Sequence, residues 1–456
     1  MPPIAGRASA VFTCRGGHLS IAPSAPDGTR DPAGDTVSRS TDRQPWPAAI
    51  RALQYPNFRL YFAGQAVSIL GSWIQQVALS WLIYRLTGSV ALLGVTTFAA
   101  LLPQLIVGPL AGAWTDRHDK RRLLIVVEGI LALQALALAA LTALELVGPA
   151  LIVGMSLLLG VLNAFDTPLR QSLIGSFVGS RGDLPNALAL NAMLFNSGRF
   201  IGPPLAGLLL ALTNEALCFA LNGLSFLALM LGLLLIRIEA PARATGSMAT
   251  LFREGLGYVW HNYPIRLLIL TLAMVNLTAS SYAVLLPVFA RDIFAGDART
   301  LGWLWGAAGC GALLSTLFLA TRQALPGLVG IVLVGAVLSG AALLAFAASP
   351  VLALALLAMA LLGFGIAVGN VGTNMLLQSL APEHLRGRVV SFFTSIRFGF
   401  DAIGGLLAGL LAARIGAPLT LALEGGVLLL FCLWLLARRQ VLGERVRDDL
   451  QEQGGR

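Results

Sequence analysis

Residues 108–122 read GPLAGAWTDRHDKRR. Small and apolar residues run to Trp114, and then charge arrives in one block: Asp116, Arg117, Asp119, Lys120, Arg121 and Arg122. At Leu123 a second apolar stretch begins. A short cationic loop between two long apolar stretches joins two helices at the edge of a bilayer, and its Lys and Arg mark the cytoplasmic side. Gly108 and Gly112, one turn apart, let the helix before the loop pack closely on a neighbour. Asp116 is spaced to face the positive N-terminus of another helix, with Arg117 and Arg121 able to pair with carboxylates around it. Two readings follow: a breakable latch on the cytoplasmic face, or a loop that only sets topology.

The rest of the chain has the same solvent. Hydrophobic residues make up 57% of it and charged residues 12%, against about a quarter charged in soluble domains. That balance excludes a soluble multidomain enzyme. The net charge of +9 is not a nucleic-acid signature, because the cations sit in short loops and at the chain ends. Such placement controls topology and meets anionic lipid. Cys14, Cys218, Cys310 and Cys432 are far apart and make no C-x-x-C, which reads as buried thiols. His18, His118, His261 and His384 are dispersed, so no metal site is expected, and no cofactor. No G-x-x-x-x-G-K-[ST] occurs, so no Walker site supplies ATP energy.

Working outward, apolar segments recur, each near the roughly 20 residues that cross a hydrocarbon core. The spans, numbered 1 to 12, are expected at 60–84, 90–114, 123–144, 149–171, 187–211, 216–236, 266–289, 301–320, 327–348, 351–377, 390–412 and 417–437. The fold class is therefore all-α integral membrane, with twelve helices in two pseudo-symmetric six-helix halves. Residues 1–50 are Pro-, Ser- and Arg-rich without a signal-peptide core, and read as a disordered extension. The first half is 51–236 and the second 266–438. Between them, 237–265 is a linker with a short amphipathic piece at 252–261, and 439–456 is a charged tail. Asn163–Leu173 (NAFDTPLRQSL) echoes Asn370–Leu380 (NVGTNMLLQSL), and LAGLL occurs at 205–209 and 407–411. The copies fall in the same places of each half, and internal repeats are typical of secondary transporters.

Arginine sets the orientation. With both termini inside, the short inner loops hold Arg117, Lys120, Arg121, Arg122, Arg181, Arg322, Arg386 and Arg388. The outer loops hold only Arg85, Arg291, Arg299 and Arg414. This bias puts both ends in the cytoplasm.

The pattern Gly112, Asp116, Arg117, Arg121 resembles the helix 2–3 loop of the major facilitator superfamily, over about residues 55–440. In that family the loop is a conformational latch against helix 11. Trp114 and Asp119 depart from its usual Leu and Gly. GRFIGPPLAG at 198–207 resembles the superfamily's antiporter motif through Gly198, Gly202, Pro203 and Gly207, with Ala206 in place of a Gly. That motif goes with exporters; ordinary small-residue packing is the other reading. The stretch at 57–89, with DTPLRQSLI and DLPNALALN, is similar to the enterobactin-exporter-like, transmembrane-secretion-effector branch of bacterial efflux proteins. The resemblance implies a bacterial inner-membrane exporter, monomeric, with a small-molecule substrate and no nucleic acid.

Charges inside spans are costly and are functional candidates by default. Asp166 and Arg170 on span 4 are four apart, as are Arg397 and Asp401 on span 11, so each makes a candidate i,i+4 pair. Arg199 lies in span 5, Glu128 in span 3 and Glu424 in span 12. Asp166, Asp401, Glu128 and Glu424 are the candidate proton carriers, and structural pairing is the alternative for each. Gln75, Asn276, Asn370 and Asn374 are candidate substrate-cavity residues, or interhelical hydrogen-bonders. The expectation is proton-driven export of a drug or siderophore-like compound by alternating access. An importer or symporter on the same fold, and a transport-inactive sensor, are the rivals. An integral-membrane enzyme is not expected, since no catalytic cluster of His, Asp or Cys is legible.

Overall fold

The computed structural model describes residues 47–115, 118–236, 262–321, 327–381 and 383–437. The expected extension up to residue 46, the linker piece at 252–261 and the tail lie outside the described residues. No strand occurs among those described.

All twelve expected spans are helical. Spans 1 to 6 are Pro56–Thr87, Val90–Ile106 continuing as Gly108–Thr115, Lys120–Ala143, Pro149–Phe177, Leu184–Leu212 and Glu215–Leu235. Span 7 is Tyr263–Thr278 followed by Tyr282–Val288. Spans 8 to 12 are Ala298–Ala320, Leu328–Ala347, Leu352–Leu380, Glu383–Ile415 and Ala417–Ala437. Ten are long and apolar enough to cross a bilayer by themselves. The other two are span 2, interrupted at Val107 one turn after Pro103, and span 5, which carries Asn186, Asn191, Asn196 and Arg199.

Local chemistry explains the helix ends. Ser89, Asp119, Asn214, Asn262 and Asp297 cap spans 2, 3, 6, 7 and 8 by accepting from backbone N–H groups of the first turn. Spans 1, 4, 5 and 7 start with a proline in the first turn, where its missing N–H costs nothing. Large apolar side chains such as Leu133, Leu224, Leu317, Val334 and Leu430 are more than half exposed. In a bilayer these are the lipid-facing residues.

Even-numbered spans return the chain to the face that bears both described ends, here the terminal face; the opposite one is the distal face. The buried core divides unevenly between the two. Toward the distal face one cluster joins both halves, from Ile74, Leu82 and Phe219 to Leu285, Leu301 and Phe346. Toward the terminal face the core is two separate clusters. One contains Phe58, Leu124, Leu173 and Leu233 of the first half, and the other Leu268, Val332, Leu377 and Phe393 of the second. The buried core is thus continuous across the halves distally and, among the described residues, divided between them toward the terminal face.

Two small-residue crossings make the seal. Span 2 meets span 11 so closely that a Cβ on Gly94 would lie 2.8 Å from the carbonyl oxygen of Gly405. Span 5 meets span 8 in the same way, with a Cβ on Gly207 falling 2.5 Å from the carbonyl oxygen of Ala298. Above them Tyr84 of span 1 donates its hydroxyl to Asp292, across the two halves. The Arg291 guanidinium covers the Tyr84 ring, 5.7 Å from its centroid.

Candidate functional site

The first polar group lies within the first half. The Arg170 guanidinium reaches Asp166 on its own helix at 2.6 Å and Glu128 of span 3 at 2.6 Å. It also donates to Gln65 of span 1, and at 3.4 Å to Ser68. All five side chains are buried. The expected Asp166–Arg170 pair forms, and Glu128 joins it. Two carboxyls share one guanidinium, so the group carries one excess negative charge unless one carboxyl holds a proton.

The second group lies on the seam between the halves, near the middle of spans 5 and 11. Arg199 comes from the first half; Arg397 and Asp401 come from the second. All three are half-buried and near enough to act on one another electrostatically. The expected i,i+4 pair is not closed. Among the described residues no ion pair within 4 Å joins them, and Arg199 Nε, Arg397 Nε and Asp401 Oδ1 are buried without a partner. Arg397 instead lies over the Phe398 ring at 5.1 Å. Asp401 lies beside Ser280 of span 7, near enough for the hydroxyl to act on it. Ser280 also reaches Asn276 at 3.4 Å, and Asn276 donates to Asn370 of span 10 at 3.0 Å. Asn374 accepts from Gln378, one turn along span 10, at 3.2 Å.

Span 7 is interrupted at this level. A single 3₁₀ turn, Ala279–Ser281, breaks the helix. The hydroxyls of Thr278 and Ser281 bond back to carbonyls of the preceding turn, which bends helices. The turn presents Ser280 to Asp401 and Ser281 to Glu424 of span 12. Mid-helix 3₁₀ turns mark hinges and sites.

Gln75 is placed elsewhere. It accepts from Asn222 of span 6 at 2.7 Å and donates to Gln134 of span 3 at 3.4 Å. It is a hydrogen-bonder inside the first half and does not face the seam.

The span 5 motif packs on two sides. A Cβ on Gly198 or Gly202 would strike Ile69 or Trp73 of span 1, while Gly207 meets span 8. Pro203 and Pro204 lack N–H groups, so the carbonyls of Arg199 and Phe200 lose their helical donors. Those two carbonyls lie against Gly309 and Gly306 of span 8. Trp73 and Trp305 close edge-to-face across the halves at 5.8 Å.

Of the loop that opened the sequence, Asp116 and Arg117 lie outside the described residues. Gly112 sits in the terminal helical piece of span 2. Arg121 donates to the carbonyls of Leu233 at 2.8 Å and Leu234 at 3.0 Å, capping span 6. Among the described residues its partners are thus helix-end carbonyls. Nearby, the 3₁₀ helix Ala48–Gln54 is clasped to the start of span 5. Tyr55 donates to Asp183 at 2.8 Å, and Asn186 bonds Ala52 and Ala49. The Asp183 carboxylate holds the Tyr55 phenol above its usual pKa.

Sequence reasoning missed Gln65, Ser68 and the Tyr84–Asp292 contact. The first two were legible: Tyr61, Gln65, Ser68, Ser72 and Gln75 repeat at helical spacing, a polar stripe along span 1.

Comparison with known proteins places this architecture. The transmembrane secretion effector family matches residues 48–452. The chain is 31% identical over 378 residues to the multidrug efflux pump Tap of Mycolicibacterium fortuitum, covering 79% of this chain and 90% of that protein. It is 26% identical to the staphyloferrin A transporter of Staphylococcus aureus, over 60% of this chain and 69% of that one. A bacterial homologue of the human lysosomal transporter Spinster superposes with a TM-score of 0.67 at 14% identity, over 89% of this chain and 98% of that one. The expected fold and branch are therefore right, and the chain is a multi-pass membrane protein that belongs to the transmembrane secretion effector family of the major facilitator superfamily.

Proposed function

We propose that the protein exports a small amphiphilic compound across the bacterial cytoplasmic membrane in exchange for protons. The observation that carries the reading is the buried Glu128–Asp166–Arg170 group. An unbalanced charge in low dielectric is costly, so the group is neutral with one proton aboard and charged without it. A site that must gain and lose a proton in order to shed charge is the part a proton-driven carrier needs. Glu424, which accepts from Ser281 of the span 7 break, and Asp401 beside that break on the seam are further exchange points. Likeness to a multidrug efflux pump supports export, as does the antiporter-like span 5.

Arginine bias makes the terminal face cytoplasmic. With the core divided on that side, the halves open inward to load cargo from the cytoplasm. Rocking about the midplane seam closes that side and parts the distal crossings. Reporter fusions at Gly148 and Asn214 should read outside, and fusions at Gly179 and Gly246 inside. The loop around Asp116 is the latch of the inner face in this scheme, and the molecule works as a monomer.

The test uses proteoliposomes. Glu128→Gln and Asp166→Asn fix the neutral form of each acid. In one of them gradient-driven transport should vanish while downhill exchange of the same compound persists. Full gradient-driven transport in both variants would remove the group from coupling.

A further inference from the structure

Resting on the transporter reading above, the seam also indicates what kind of cargo fits. Arg199 and Arg397 each bring a guanidinium cation. One carboxylate, Asp401, stands against the two of them, so the seam carries one excess positive charge. It is not consumed internally: among the described residues no ion pair within 4 Å forms, and an Nε on each arginine is buried without an acceptor. The described neighbours do not supply a second acid. Ser280, Asn276 and Asn370 are neutral, and Glu424 faces Ser281, with neither arginine near enough to act on it.

When the inner face closes, this charge leaves water, and an uncompensated buried cation is strongly disfavoured. An anion arriving from the open side removes the penalty. Guanidinium forks match carboxylates and related oxyanions with paired hydrogen bonds. The two arginines come from opposite halves, so one anion between them bridges the parts that must close together. Trp73, half-buried against Gly198 and Gly202 beside Arg199, offers an apolar surface for the rest of an amphiphile.

We infer that the cargo is bound through an anionic group, a carboxylate or equivalent oxyanion, held between Arg199 and Arg397. Asp401 competes with it for the arginines, so the site takes anions and rejects cations.

The experiment measures equilibrium binding to the full chain in lipid nanodiscs, by fluorescence anisotropy and without a gradient. Carboxyfluorescein is the anionic probe and ethidium the cationic one. Carboxyfluorescein should bind saturably, and Arg199→Gln and Arg397→Gln should each weaken it by about tenfold or more, the loss of a charge-assisted pair. Arg397→Lys, which keeps charge but loses the fork, should fall between. Asp401→Asn should tighten binding, a gain that misfolding does not imitate. Preference for ethidium, binding of neither probe, or arginine variants of unchanged affinity would overturn the inference. The export reading is judged separately. Gradient-driven movement of ethidium would sustain export and sink the anion site. Arginine-dependent binding of carboxyfluorescein with no gradient-driven movement of it would do the reverse.

Discussion

Gly94→Ala adds one methyl group where span 2 crosses span 11. The new Cβ would lie 2.8 Å from the Gly405 carbonyl oxygen, 3.1 Å from Gly409 Cα and 3.2 Å from the Leu406 carbonyl oxygen. All three are backbone atoms, so no rotamer change relieves the contact and the helices must separate. Overpacking of this kind costs about 1–3 kcal/mol. Alanine also favours the helix by about 1 kcal/mol over glycine, but that gain is equal whether the distal face is open or closed. Only the clash is specific to the closed state. The conformational balance should therefore shift toward the distally open form by about 5- to 150-fold. Spin labels at Leu146 and Val351, exposed positions on the distal side of the first and second halves, report the change as a longer distance population. Gly154→Ala is the control, because a Cβ there meets nothing within 4 Å. An unchanged distance distribution in folded Gly94→Ala would refute the rocking of rigid halves about this seam.

Other outcomes follow from the same geometry. Tyr84→Phe removes the hydroxyl that bridges the halves to Asp292; because Asp292 is exposed, the loss is about 1 kcal/mol, seen as a roughly fivefold gain in the open population by the same labels. Asp116→Asn should leave membrane insertion intact and slow transport; full transport in that variant would reduce the loop to topology. Gly202→Val drives a branched side chain into Trp73 and should abolish export of any dye the parent extrudes, while an unchanged rate would strip span 5 of its role.

Architecture was legible because lipid imposes it. An apolar stretch of bilayer length admits little but a helix, so the twelve segments and their order could be read from composition. Boundaries were less accurate: span 11 starts at Glu383, because a helix continues past the membrane edge and hydropathy does not. Spacing along one helix predicted the Asp166–Arg170 pair. Identical spacing misled at Arg397 and Asp401, where the guanidinium lies over Phe398 and Asp401 Oδ1 stays without a partner. Glu128 could be flagged as a costly charge, but its partner lies on another helix, and helix adjacency is not written in periodicity. Gln75 shows the same limit in reverse. Its polarity was visible, and only packing reveals that it serves the interior of one half. The break in span 7 was missed because serines and threonines are ordinary in membrane helices until their hydroxyls bond backward.

The central claim is outward transport driven by protons. Everted membrane vesicles with an acidic interior test it most directly, using a panel of anionic and cationic fluorescent dyes. At least one dye should accumulate inside beyond the level in vesicles lacking the protein, and nigericin should collapse that accumulation. Accumulation indifferent to nigericin would contradict proton coupling. Dye accumulation only in right-side-out vesicles would contradict export.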